Sequence, residues 1–121
     1  MERFILGSEG RDILIIPTED GDRKLPVDRI NYIDIEQRTL CYHTSMGGSL
    51  AAKNLLRTSF AKATEPYLQY RNLLFLKPSL IINVDNIEYL NKESLIFSNG
   101  EEFYFPRRRY DEIYERWCEC G

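Results

Sequence analysis

The densest chemistry in this 121-residue chain is the run Arg107-Arg108-Arg109. Each planar guanidinium presents a fork of N–H donors, which suits phosphate oxygens and guanine edges better than a lysine ammonium does. The run stands where an amphipathic helix begins, so it opposes that helix's macrodipole at a cost of about 0.3–1 kcal/mol per exposed charge. Two compensations are open. One is intrahelical pairing of Arg107 with Asp111 and Arg108 with Glu112, in the weaker basic-before-acidic order; the other is an external anion. A second polar interruption, Lys77-Pro78-Ser79, parts two apolar runs and is a candidate functional loop.

Catalytic chemistry has little to draw on. His43 is the one histidine, alternating with Cys41 on a strand-like run where a structural role suffices. There is no Gly-rich phosphate loop and no G-x-S-x-G, and the carboxylates fall singly on strand faces that look exposed, so the chain is not read as an enzyme. Cys41, Cys118 and Cys120 are odd in number and lack a framework spacing, which fits reduced thiols. With a single histidine and no second cysteine pair, Cys118-Glu119-Cys120 does not make a zinc site, and no metal or cofactor is assigned.

The elements that must position these residues are short. The length suits one compact domain, taken as residues 1–121, and 43% apolar with 29% charged residues suits an ordered, soluble protein. No apolar run reaches membrane-span length, and the charged N-terminus is unlike a signal peptide, so the expected location is the cytoplasm, away from membranes. Sixteen basic against nineteen acidic residues give a net charge of -3; a nucleic-acid partner would need a local basic patch.

Turn signals cut the sequence mainly into strands. Residues 11–16 form a β-branched run stopping at Pro17, Glu19-Asp20-Gly21-Asp22 reverse the chain, and residues 24–27 return. Ile30–Glu36 alternates with period two, placing Ile33 and Ile35 on one face and Asp34 and Glu36 on the other. Gln37-Arg38 turns the chain into Thr39–Thr44, and Ser45-Met46-Gly47-Gly48 turns it again into a return over residues 49–56. Residues 59–65 suit a short helix capped by Ser59 and halted by Pro66. Residues 73–76 and 80–84 are apolar strands. A meander follows through Ile87–Leu90, residues 95–98, Asn99-Gly100 and residues 102–105. Tyr110, Ile113, Tyr114 and Trp117 form the apolar stripe of a last helix starting near Pro106 or Arg107.

This order of pieces resembles the LytTR family of bacterial DNA-binding domains, usually the output half of two-component response regulators, over about residues 25–117. Arg29-Ile30-Asn31-Tyr32-Ile33-Asp34 is similar to the family's opening I-x-Y-I-E strand. Ser79-Leu80-Ile81-Ile82-Asn83-Val84-Asp85-Asn86-Ile87 is similar to its S-Y-I-V-N-x-x-x-I signature, and Phe105-Pro106-Arg107-Arg108-Arg109-Tyr110 to the S-R-R-Y-Y segment opening its last helix. The resemblance implies a mainly β fold of elongated antiparallel sheets and hairpins, with a short central helix and a C-terminal helix. Residues 1–24 would be an N-terminal extension and first hairpin.

It also implies a sequence-specific transcriptional regulator that inserts loops into successive major grooves of double-stranded DNA. Arg107 and Arg108, with Arg109 beside them, are the expected base or phosphate donors. Lys77 would hold a phosphate, Ser79 and Asn83 would donate to phosphate or brace the loop, and Arg38, near Gln37 and Thr39, would supply a third contact. Two protomers could sit on repeated sites. Where the family has R-x-H-[RK]-S before the signature strand, this chain has Phe75-Leu76-Lys77-Pro78-Ser79. That change and the acidic balance leave a second reading open, a LytTR-like module acting through a regulatory protein partner. These residues contain no receiver domain, so the chain is expected to be either a stand-alone regulator, which would need another input such as a partner protein, or a fragment.

Overall fold

A computed structural model describes the backbone of residues 3–6 and the whole of residues 12–119. Arg11 and Cys120, invoked above, lie outside the described residues, as does most of the N-terminal extension. Eleven strands form three antiparallel sheets among these residues. The first sheet contains β1 (Arg3–Leu6), β2 (Asp12–Thr18) and β3 (Gly21–Pro26). The central sheet has the order β6-β5-β4-β8-β7, from β4 (Ile30–Glu36), β5 (Thr39–Thr44), β6 (Ser49–Ala51), β7 (Leu73–Lys77) and β8 (Leu80–Asn83). The third is the meander β9 (Ile87–Leu90), β10 (Ser94–Phe97) and β11 (Glu102–Tyr104). Two helices, α1 (Phe60–Thr64) and α2 (Tyr110–Glu119), complete a mainly β architecture.

The central sheet is buried on both faces because its strands carry apolar residues at both parities. Ile33, Tyr42, Leu73 and Ile81 face Leu14, Ile16 and Leu25 of the first sheet, together with Phe60 of α1. Their neighbours Tyr32, Leu74, Leu76 and Ile82 face the other way, onto Leu95 and Phe97 of the meander and Ile113 of α2. Each such side chain is worth about 1.5–3 kcal/mol when fully buried. The central sheet therefore separates two cores.

Several local expectations shift. β1 pairs with β2 where the sequence suggested no strand. β2 runs through Pro17, which pairs with Asp22 of β3; among the described residues that is its one strand partner, β1 being described from Arg3, opposite Ile15, and a proline is tolerated where its missing N–H is not required. β6 stops at Ala51, well short of residue 56: beyond it the backbone satisfies itself irregularly, Lys53 N–H donating to Pro17 (2.9 Å) and Leu56 N–H to Arg38 (2.7 Å). Ile35 is 36% exposed, since β4 outruns its pairing with β8 there. Pro66 ends α1 but not the helical path, which continues as a 3-10 turn over Glu65–Gln69. The arginine run forms another 3-10 turn, Arg107–Arg109, and α2 proper begins at Tyr110. Tyr114, expected on the buried stripe, is exposed.

Candidate nucleic-acid interface

The register of the central sheet decides which turns meet. β4 runs antiparallel to β8 with Ile33 opposite Ile81 and Tyr32 opposite Ile82, so the end of β4 lies beside the start of β8. The Gln37-Arg38 turn after β4 and the Lys77-Pro78-Ser79 turn before β8 therefore share one end of the sheet. β6 pairs antiparallel to β5 with Ala51 opposite Cys41, which brings the segment after β6 to that end as well.

Arg109 brings in the third element. Its Nη2 and Nη1 donate to the carbonyls of Phe75 (2.6 Å) and Leu76 (3.0 Å), and its Nε to Glu112 Oε1 (3.0 Å). All three nitrogens of the fork are thus engaged inside the protein, and Arg109 braces the turn. The brace holds the arginine turn against the end of β7, where Phe75, Lys77, Pro78, Pro106 and Arg108 line one groove. Arg108 projects from this groove with no ion-pair or hydrogen-bond partner among the described residues. Arg107 is 67% exposed, with Glu93 at 3.8 Å, a distance that holds it weakly. Intrahelical pairing of the arginines with residues four ahead does not form; the pair that does form is Arg109 with Glu112, three ahead.

Lys77, Pro78 and Ser79 are exposed at the tip of their turn. Arg38 is exposed too, and its backbone is left-handed (φ 66), as is that of Gln37 (φ 50). Two positive φ values in a two-residue hairpin match the twist of the flanking strands, at a strain of about 1–2 kcal/mol per non-glycine residue. Beside Arg38 a second groove is lined by Lys53, Asn54, Leu56 and Arg57. Lys53 and Arg57 escaped the sequence reading because Lys53 sits in the stretch read as a plain return strand, residues 49–56, and Arg57 just beyond it. One end of the sheet thus carries Arg38, Lys53, Arg57, Lys77, Arg107 and Arg108, with Glu36, Glu93 and Glu112 among the acids beside them. Basic residues thus gather locally despite the net value of -3.

Asn83 is not part of this surface. It lies at the opposite end of β8 with no exposed area, its Nδ2 donating to Ile30 O (2.8 Å) and its Oδ1 accepting from Asn72 Nδ2 and Asp85 N–H (both 3.0 Å). Asn86 adds bonds to Asp28 O and Ile30 O (both 3.0 Å). The signature asparagines therefore tie the end of β8 to the chain entering β4; of the two roles open to Asn83, its burial and internal bonds suit the bracing one.

His43 is held by its neighbours: its ring stacks on Tyr32 at 4.1 Å, and its Nε2 lies 2.8 Å from Asp34 Oδ1. Tyr32 donates to Glu101 Oε2 (2.6 Å), and burial together with that carboxylate raises its pKa. No helix among the described residues is long and apolar enough to cross a membrane.

Residues 20–117 match the sequence profile of the LytTr DNA-binding domain. Among solved structures, the chain is similar to one described as the LytTr DNA-binding domain of a methyl-accepting/DNA response regulator from Bacillus cereus. The identity is 16% and the TM-score 0.61, over 88% of this chain and 95% of that one. At that identity the likeness speaks for the fold. No curated protein matches the chain in sequence.

Proposed function

Since the chain belongs to the LytTr DNA-binding domain family, we propose that it is a sequence-specific transcriptional regulator that binds double-stranded DNA through the basic end of its central sheet. The observation that carries this reading is Arg108, without a partner among the described residues and beside Lys77, on a turn held there by the internal bonds of Arg109. A fork fixed at its base and free at its tip is prepared for a bidentate contact with a guanine edge. Lys77 and Ser79 hold phosphate, which sets position rather than sequence. Arg38, with Lys53 and Arg57 behind it, supplies a second point of attachment. Two protomers on repeated half-sites would extend the contact without a large protein interface.

The test is to titrate the protein against random duplexes at two salt concentrations and sequence what is retained. We expect a repeated motif to be enriched, with Arg108→Ala weakening binding to it by about 1–3 kcal/mol. Pro78 stands where a donor would be expected and favours the second reading, a module that works through a protein partner. Absence of retention at low salt would sink DNA binding and leave that alternative.

A further inference from the structure

The β4–β5 hairpin carries four side chains on one face that no nucleic-acid contact uses. Asp34 lies directly opposite Cys41, Glu36 follows Asp34 by two residues, and His43 follows Cys41 by two. Pleat alternation sends all four to the same side. Their ligand atoms lie within 4.8 Å of one another. We propose that Asp34, Glu36, Cys41 and His43 form a binding site for a divalent transition metal of the zinc class.

The donor chemistry selects the metal. A thiolate and an imidazole with two carboxylates suit Zn2+, whereas Mg2+ and Ca2+ want oxygen alone. Zinc holds its ligand atoms at about 2.0–2.3 Å in a tetrahedron, so neighbouring donors stand roughly 3.3–3.7 Å apart. His43 Nε2 is 2.8 Å from Asp34 and 3.7 Å from Glu36, so an adjustment on the order of 1 Å closes the set around an ion. The imidazole is already oriented by its stack on Tyr32, as ligating histidines are by their surroundings.

The electrostatics ask for a cation. Among the described residues His43 is the one cation-capable group within ion-pair distance of Asp34 and Glu36. Cys41 is buried on the same face, directly opposite Asp34. An ion bound there takes Cys41 as the thiolate, the thiol proton passing to solvent. Glu36 is also the last residue before the Gln37-Arg38 turn, so an ion would stiffen the base of the hairpin that presents Arg38. That consequence, unlike the site itself, rests on the DNA-binding reading above.

The experiment uses the chelator-treated protein without DNA, titrated with Co2+ and then with Zn2+ in competition. We expect one Co2+ per chain with a thiolate-to-cobalt charge-transfer band, displaced by Zn2+ and not by Mg2+. Cys41→Ser should remove that band, and His43→Gln should weaken Zn2+ binding by more than about tenfold; the double variant Cys118→Ser/Cys120→Ser should leave both unchanged. If Cys41→Ser does not fold, the thermal midpoint decides: Zn2+ should raise it in the native chain and not in Asp34→Asn. Failure to bind Co2+ stoichiometrically, a band that follows the C-terminal cysteines, or a Zn2+ shift that survives Asp34→Asn would overturn the proposal.

Discussion

At the scale of single residues, the arginines divide by what holds them. Arg109 commits its fork to two carbonyls and a carboxylate, while Arg108 has no such partner among the described residues. Arg38 is a third case: it occupies a left-handed conformation that glycine would adopt without strain. A long cation kept at such a position is stability given up for some other use. Arg38→Gly should therefore stabilise the fold by about 0.5–1 kcal/mol, the relief of strain outweighing glycine's greater freedom in the unfolded chain. Urea unfolding measures this, and the same variant should bind DNA more weakly. A loss of stability larger than that expected gain would mean that the Arg38 side chain is part of the packing and not a contact held at the expense of strain.

At the scale of elements, the order of strands and turns was legible because its signals are local. Asn99-Gly100 takes the positive φ expected of a hairpin glycine, and the period of two in β4 and β5 survives as two faces packed on two cores. What was not legible depends on partners distant in sequence. Arg109 could not be told from Arg108 without the Phe75 and Leu76 carbonyls, and the four possible ligands of the hairpin looked single until Asp34 was placed opposite Cys41. Pro17 misled because a proline ends a strand only where its N–H is required. Asn83 belongs to this scale, since its amide joins β8 to the chain entering β4. Asn83→Ala leaves the buried Ile30 carbonyl with fewer donors and should cost about 2–3 kcal/mol of stability in chemical denaturation. If the cost is under about 0.5 kcal/mol, Asn86, which donates to the same carbonyl, carries the tie alone.

At the scale of the whole molecule, the question is whether net charge or its placement governs association. A chain of net charge -3 is repelled by DNA as a whole, yet near the surface, within about 8–10 Å at physiological salt, a local patch outweighs distant charges. Two basic patches make the comparison internal. One is the end bearing Arg38, Lys77 and Arg108; the other is a groove lined by Arg23, Lys24 and Arg29 beside Thr44 and Gly48, at the opposite end of β5. Affinity for duplex should fall with salt at a log–log slope of about 0.9 per phosphate neutralised. Lys77→Ala should lower that slope by about 1 and weaken binding to every sequence alike, whereas Arg108→Ala should weaken the preferred sequence most. Arg23→Ala with Lys24→Ala removes more charge than either and should change neither slope nor preference. If it weakens binding as much as Lys77→Ala does, association follows total charge, and the basic end of the central sheet loses its claim to be the interface.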